Sequence, residues 1–286
     1  MNCFFASDLH GYIDRYEKLF KAISDEKPAL VLLGGDLLPS GFLSHKPLNE
    51  GHQDFIQDYL IPGFSGLRNS LGFHYPQVLL ILGNDDGKVV EPKIFDGVKI
   101  GLWDYIHNRK LEIGEYSVYG YAFVPPTPFR LKDWERYDIS RYVDPGCISP
   151  EEGIFTVPVS HLDLKYETIK KDLDLLINKD DLENAIFLFH SPPYMTNLDY
   201  AALDGVMIDN VPVDAHVGSI AIKKMIEQKQ PLFTMHGHVH ESARITGSWK
   251  DKIGRTLCVT AAHDGKELAL IKFDLNNTEE AVRVLL

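Results

Sequence analysis

The sequence predicts an α/β fold in which apolar strands alternate with amphipathic helices. Continuous apolar runs at residues 2–6, 30–33 and 78–82 have the length of buried strands. Between the first two runs, apolar residues recur at helical spacing, at Tyr16, Leu19, Phe20 and Ile23. Because strands that are apolar throughout are typical of a sheet covered on both faces, we expect helices on either side of this sheet.

The same patterns continue towards the C-terminal end of the chain. Helices are predicted over residues 54–59 and 166–177, and further strands over 186–189, 231–235, 256–260 and 268–273. The stretch from about residue 121 to residue 161 is irregular and rich in proline and aromatic residues, and we interpret it as an excursion over the site. With no internal repeat, the simplest organisation is a single domain over residues 1–286.

Composition and charge narrow the functional classes. The chain has 286 residues, of which 44% are hydrophobic, and a formal net charge of −12, which disfavours binding to long nucleic acid. It contains no apolar run of about 18 residues, so no membrane span is predicted. The apolar N-terminal stretch is too short for a signal peptide, and the cysteines form no CxxC pair. We therefore expect a cytoplasmic protein.

Polar residues with metal-binding side chains follow the apolar runs. They are Asp8, His10, Asp36, Asn84, His190, His238 and His240. Since the carboxyl ends of strands meet at one edge of an α/β sheet, these side chains are expected to share one cleft. Taken singly, an Asp after a strand is an ordinary turn former, and a lone His is more often a core residue than a ligand. The occurrence of all seven residues in this order, each after an apolar run, indicates a metal site.

This ordered set resembles the signature of the calcineurin-like metallophosphoesterase superfamily. The matching segments are Asp8-Leu9-His10, Gly35-Asp36, Gly83-Asn84, His190 and Gly237-His238-Val239-His240. The resemblance implies a four-layer α/β/β/α sandwich with two central mixed sheets. It also implies a dinuclear site in which Asp8, His10, Asp36 and His240 hold one ion. Asp36 would bridge to a second ion, held by Asn84, His190 and His238.

Such a ligand set predicts a metal-dependent phosphoric ester hydrolase acting on small or nucleotide-like phosphorylated substrates. Carboxylate, amide and imidazole ligands suit Mn²⁺, the favoured ion, with Fe, Zn²⁺ and Ni²⁺ as alternatives. A hydroxide shared by the two ions would make the in-line attack. In that scheme Asp36 and Asn84 are catalytic as well as metal-binding.

One position departs from the superfamily pattern. The residue after Gly83-Asn84 is usually His, which contacts the phosphate, but here it is Asp85. A carboxylate there repels a dianionic monoester more than a diester, which favours a phosphodiesterase over a phosphomonoesterase. Alternatively, a protonated Asp85 serves as general acid. We predict that Asp86 orients a metal-binding histidine.

Substrate specificity is less strongly marked in the sequence. Arg130 and Trp134, in or next to the proline-rich stretch, are candidate substrate contacts, and a packed loop is the alternative. Two other functions stay open: a phosphomonoesterase of the same fold, and a non-catalytic metal-binding interaction scaffold. No feature of the sequence predicts the oligomeric state.

Overall fold

The computed structural model describes residues 1–40 and 54–286. In these ranges the strands are β1 (Asn2–Ala6), β2 (Leu30–Gly34), β3 (Gln77–Ile81), β4 (Asp104–Tyr105), β5 (Arg109–Ile113), β6 (Tyr116–Tyr121), β7 (Ala185–Phe189), β8 (Met207–Ile208), β9 (Val211–Pro212), β10 (Phe233–His236), β11 (Lys250–Ile253), β12 (Thr256–Thr260), β13 (Ala269–Asp274) and β14 (Asn277–Leu285). The α-helices are α1 (Ile13–Glu26), α2 (Ile61–Leu71), α3 (Glu91–Lys99), α4 (His161–Tyr166), α5 (Ile169–Ile177), α6 (Ile220–Lys229) and α7 (Ser242–Thr246).

Two mixed sheets form the centre of the molecule. The first has the strand order β14-β13-β1-β2-β3-β4, and the second has the order β11-β12-β10-β7-β6-β5. In the first sheet β1 to β4 run parallel, and β13 pairs antiparallel with β1 and β14. In the second, β6, β7, β10 and β12 run parallel between antiparallel edge strands. The prediction of two central mixed sheets is confirmed.

The sheets and helices share one apolar core. β2 contacts β7, and β3 contacts β6, so the two sheets pack face to face. Helix α1 packs against α2, and α5 packs against α6. The strands β1, β2, β3, β7 and β12 are buried along almost their whole length, as expected for strands covered on both faces. No helix in the part of the chain described here is long and apolar enough to cross a bilayer.

The helix predicted over residues 54–59 is longer than expected. A π-helical turn at Ile56–Leu60 leads directly into α2, which ends at Leu71. The residue pattern does not predict the full helix because Pro62 and Gly63, both unfavourable inside helices, lie in it. Pro62 is tolerated because it lies in the first turn of α2. Gly63 is required here by packing, since a Cβ atom would lie 2.7 Å from the Phe20 ring.

Between β6 and α4, residues 122–160 contain no strand or α-helix, and a short 3-10 turn lies at Pro150–Glu152. The predicted helix over 166–177 begins later, at α5, and α4 precedes it as a separate element. Thr168 separates the two helices because its side chain accepts a hydrogen bond from the Lys171 N–H (3.2 Å) and caps α5. The edge strands β4, β5, β11 and β14, the inner strand β6 and the two-residue strands β8 and β9 were not predicted.

Candidate metal centre

Loops at the carboxyl ends of five strands carry the predicted ligands. Asp8, Asp36 and Asn84 follow β1, β2 and β3 of the first sheet, while His190 and the His238-Val239-His240 segment follow β7 and β10 of the second. Backbone hydrogen bonds join neighbouring loops: the Asp8 N–H donates to the Gly35 carbonyl (2.9 Å), and the Gly237 N–H donates to the His190 carbonyl (2.9 Å). The two sheets thus present all these side chains at one edge.

One cluster consists of Asp8, His10, Asp36 and His240. One ligand atom from each of these residues lies within 4.8 Å of all the others. His10 Nε2 is 3.1 Å from His240 Nε2, which in turn is 3.2 Å from Asp8 Oδ1. Imidazole nitrogens and carboxylate oxygens that converge in this way form a donor set suited to a borderline-hard divalent cation.

His190 joins this cluster to Asn84. Its Nε2 atom lies 3.0 Å from Asn84 Oδ1 and 3.4 Å from Asp36 Oδ2. Its Nδ1 atom lies 2.8 Å from the carbonyl oxygen of Gly34, which can only accept, so Nδ1 carries a proton. A ring held in this way presents Nε2 to an ion, as metal-binding histidines commonly do. The centroid of the His238 ring lies 5.3 Å from that of the His190 ring.

The two buried carboxylates stay ionised. Burial would raise their pKa values, but the hydrogen bond from His240 holds the pKa of Asp8 well below its usual range. The charge of His190 and its hydrogen bond likewise lower the pKa of Asp36 to about 2. Burial would also lower the pKa values of the histidines, but Asp85 and Asp36 raise the pKa of His10 to about 9. Asp36 also raises the pKa of His190, against the effect of burial, to about 9.

The charge balance of the cluster fits a cation. Asp8 and Asp36 are only 1% and 2% exposed, and among the described residues no Lys or Arg side chain contacts either carboxylate. Buried carboxylates are normally paired with a cation or bind a metal. Without an ion, positive charge comes from protons on His10 and His190, and a divalent ion would displace these protons on binding.

The backbone of the site is strained in a way that glycine would avoid. Asp8, His10, Asp36 and His238 have φ angles of 56°, 48°, 51° and 75°, in the left-handed region. Such conformations cost roughly 1–3 kcal/mol for a non-glycine residue and cluster at functional sites. By contrast, Gly83 cannot be replaced, because a Cβ atom there would collide with the Asp36 carboxylate.

A comparison with known families agrees with this geometry. The family model described as calcineurin-like phosphoesterase matches residues 1–242. The chain belongs to the calcineurin-like phosphoesterase family. Membership supports a metal-dependent phosphoester hydrolase acting on small phosphorylated substrates, and members of the family typically bind two divalent metals.

Solved structures with a similar fold are distant in sequence. TT1561 of Thermus thermophilus is 16% identical, covers 99% of this chain and 98% of its own, and has a TM-score of 0.59. A dimetal phosphatase from Danio rerio is 10% identical, with coverages of 95% and 91% and a TM-score of 0.51. At these identities the similarity concerns the fold alone. No curated protein sequence matches the chain significantly.

In this member of the phosphoesterase family, Asp85 and not Asp86 lies beside a candidate metal-binding histidine. Asp85 Oδ2 lies 3.4 Å from Nδ1 of His10, and its other oxygen accepts a hydrogen bond from Ser40 Oγ (2.8 Å). The prediction that Asp86 orients a metal-binding histidine is wrong. The Asp86 carboxylate is fully buried and accepts hydrogen bonds from three backbone N–H groups, those of Leu37 (3.1 Å), Leu38 (2.8 Å) and Gly83 (2.9 Å).

Arg130 and Trp134 lie apart from the ligand contacts described above. Trp134 is fully buried, with Lys88 Nζ 4.8 Å from its ring and the His107 ring at 4.9 Å, so its ring has no face open to a substrate in this structure. Arg130 is exposed, and its carbonyl accepts a hydrogen bond from the Ile154 N–H (2.7 Å). Their roles as substrate contacts stay predictions.

Arg15 is a site residue that sequence analysis missed. It is 8% exposed, and its guanidinium donates to the carbonyl oxygens of Asp8 and Gly265, both at 2.6 Å. The bond to Asp8 fixes the strained backbone of a candidate ligand. The available signal was a charged residue within the apolar face of α1, at helical spacing from Leu19 and Ala22.

Proposed function

We propose that this chain is a dinuclear metal-dependent phosphoric ester hydrolase. The observation that carries the proposal is the convergence of Asp8, His10, Asp36 and His240, whose ligand atoms lie within 4.8 Å of one another. The two carboxylates in this cluster are buried, and in the described part of the chain they have no Lys or Arg partner. Family membership supports the same chemistry.

The proposed ligand roles follow the two sets of contacts described above, one around His10 and His240 and the other around His190. Asp8, His10 and His240 would hold one ion, and Asn84, His190 and His238 would hold the other, with Asp36 shared between them. A bound ion pair supplies Lewis-acid stabilisation of the phosphoryl charge and lowers the pKa of a bound water. The chain orients the donors: Gly34 fixes the His190 ring, and Arg15 fixes the backbone of Asp8. We favour Mn²⁺ as the ion, since the donors are oxygen and nitrogen.

Diesters are the proposed substrates, on account of Asp85. Its carboxylate is 31% exposed and lies beside the His10 ring. Asp85 occupies the sequence position after Gly83-Asn84, where the superfamily usually has His. A negative charge at this position disfavours the dianion of a monoester more than the monoanion of a diester. A phosphomonoesterase is the same-class alternative, and a metal-binding scaffold without activity is the alternative from another class. Cytoplasmic location stays a prediction.

The test is hydrolysis by protein of defined metal content. The chain is stripped with a chelator and reloaded with Mn²⁺, Zn²⁺, Ni²⁺ or Mg²⁺ singly, and bis-aryl and mono-aryl phosphates are assayed side by side. We expect activity with at least one ion and a higher kcat/KM for the diester. Failure to hydrolyse either ester with any ion would support the scaffold, and a higher kcat/KM for the monoester would overturn the diester preference alone.

A further inference from the structure

A cleft opens directly beside the candidate metal centre. Its volume is about 590 Å³, and its wall includes His10, Tyr12, Arg15, His240, His263 and Lys266. We call it the Tyr12 cleft. Because His10 and His240 belong to both the ligand cluster and the cleft wall, a phosphoryl group at the metal centre would have room for its organic group here. The volume lies within the range typical of small-molecule sites.

Tyr12 forms a supported aromatic surface in this cleft. Its ring centroid is 6.5 Å from that of His10, and the residue is 55% exposed. The Arg15 guanidinium lies 4.9 Å from the ring centroid and is itself held by the two carbonyl oxygens it contacts. A planar group could therefore stack on a tyrosine ring whose position is fixed by a buried cation.

Helix stability does not account for tyrosine at this position. Tyr12 is the N-cap residue of α1, and it makes no side-chain capping hydrogen bond. Ser, Thr, Asp and Asn are strongly preferred at N-caps because their side chains accept a hydrogen bond from the first turn. An exposed aromatic residue beside a metal ligand is therefore better explained by binding than by folding.

Among the described charged side chains at the cleft, Lys266 is the one without a hydrogen-bond or ion-pair partner. Asp14 pairs with Lys18 (3.6 Å), Asp264 with Arg244 (2.6 Å) and His263 with Glu267 (3.2 Å). Lys266 is exposed and, in the described ranges, has no hydrogen-bond or ion-pair partner. In a chain with a net charge of −12, an unpaired lysine at the cleft supplies local attraction for an anionic substrate.

We infer that the Tyr12 cleft binds the nucleoside part of a nucleotide-type phosphoester, with the base stacked on Tyr12 and Lys266 attracting the phosphate. The inference rests on the proposed function, which places the phosphoryl group at the adjacent metal centre. Stacking of a base on an aromatic residue is sequence-tolerant, so the cleft selects an aromatic base and not one particular nucleotide.

Equilibrium binding measurements distinguish the contribution of the base to affinity from that of the phosphate. Adenosine 5′-monophosphate and ribose 5-phosphate are titrated calorimetrically into the Mn²⁺-loaded protein, since the sugar phosphate has a hydroxyl group where the nucleotide has its base. We expect the nucleotide to bind roughly 5- to 100-fold more tightly, the effect of one stacked base. Tyr12→Ala should abolish this difference, and Tyr12→Phe should keep it. Lys266→Gln should weaken both ligands alike.

Tyr166→Ala is the matched control, because Tyr166 is 52% exposed and also has a cation near its ring, Lys165 Nζ at 5.5 Å. It should leave the ratio of the two dissociation constants unchanged. Equal binding of the two ligands by the wild type, or a ratio that survives Tyr12→Ala, overturns the inference even if the protein hydrolyses esters. If the wild type binds the nucleotide more tightly than the sugar phosphate but hydrolyses no ester, the proposed function is overturned and the inference about the cleft is not.

Discussion

The carboxylate of Asp85 lies 3.4 Å from Nδ1 of His10, whose other ring nitrogen, Nε2, lies 3.1 Å from Nε2 of His240. A carboxylate in this position fixes the orientation of a metal-binding imidazole and increases its basicity. The same carboxylate also places negative charge at the edge of the candidate metal centre. Asp85 therefore has a structural explanation that does not require it to donate a proton to the leaving group.

Replacing Asp85 separates these roles. We expect Asp85→Ala to weaken binding of the ion that His10 would hold by about 10- to 100-fold, because the His10 ring loses its partner. Isothermal titration of the metal-free protein with Mn²⁺ measures this change. Ser40→Ala, which removes the hydrogen bond to the other oxygen of the Asp85 carboxylate, is the control. An unchanged metal affinity, combined with lower activity on esters with poor leaving groups, would favour the general-acid role instead.

Asp36 should be required for both metal content and activity. Its Oδ2 atom lies 3.4 Å from His190 Nε2 and 3.9 Å from His10 Nε2, between the two proposed ligand groups. Asp36→Ala should abolish hydrolysis and reduce bound Mn²⁺ from two ions towards one or none, as measured by elemental analysis after dialysis. Asp25→Ala removes an exposed carboxylate that pairs with Lys21, and it should change neither quantity. Two ions retained by Asp36→Ala would refute the bridging role.

Asp86 is expected to contribute to stability more than to chemistry. Burial and the charge of Asp36 raise its pKa to about 7, and its carboxylate organises the loops that carry Asp36 and Asn84. Asp86→Ala would leave three buried backbone N–H groups without an acceptor, at roughly 1–3 kcal/mol each. Urea denaturation of the metal-free protein should show this loss, and Asp86→Asn, which keeps an acceptor oxygen, should lose less. Equal stability of all three proteins would contradict this role.

The convergence of the candidate ligands at one sheet edge was predictable because these residues follow the most regular part of the sequence. Strands β1, β2, β3, β7 and β10 are apolar runs, and in an α/β sheet the residues after such runs meet at one edge. The pattern does not reveal which of two adjacent carboxylates turns towards a histidine. Asp85 and Asp86 differ by one backbone step, and only the path of the loop directs one to His10 and the other to backbone N–H groups.

Substrate-side residues were less predictable for a different reason. The Tyr12 cleft brings together the start of α1 and the loop before β13, residues about 250 positions apart, and no local pattern links them. Trp134 was singled out as an aromatic residue in an irregular stretch, but the surrounding chain buries it completely. Aromatic composition therefore indicates that a loop is packed or binds a ligand, without distinguishing the two.

The irregular segment at residues 122–160 contains a buried ion pair, and removal of one partner should lower the stability of the protein. Lys132 and Glu135 contact each other with both side chains fully buried, and Glu135 also accepts a hydrogen bond from the Thr127 N–H (2.7 Å). Lys132→Met leaves the carboxylate unpaired and should destabilise the protein by about 3–5 kcal/mol in urea denaturation. Lys132→Met/Glu135→Leu should lose less than Lys132→Met alone. A double variant that loses more than the single variant would contradict this.

An exposed pair serves as the control for that experiment. Lys170 and Asp174 are one helical turn apart, with side chains 57% and 65% exposed. The corresponding double variant, Lys170→Met/Asp174→Leu, should change stability by no more than about 1 kcal/mol, because solvent screens exposed ion pairs.

Finally, His107 should make the fold sensitive to acid. Burial, followed by the charges of Lys88 and Arg136, lowers the pKa of His107 from 6.5 to about 3, and its Nδ1 atom accepts a hydrogen bond from the Ala122 N–H (3.0 Å). Because the unfolded chain takes up this proton more readily, the stability contribution is complete above pH 6.5 and is lost as the pH falls towards about 3.

His107→Asn removes this titration while it retains an acceptor atom for Ala122. In urea denaturation with chelator present, the wild type should lose ~1.4 kcal/mol per pH unit more than His107→Asn as the pH is lowered below 6.5. His74→Asn, at an exposed position, is the control for loss of a histidine and should follow the wild type. Parallel stability curves for the wild type and His107→Asn below pH 6.5 would show that the ring is protonated in the folded state, with Lys88 and Arg136 too well screened to prevent it.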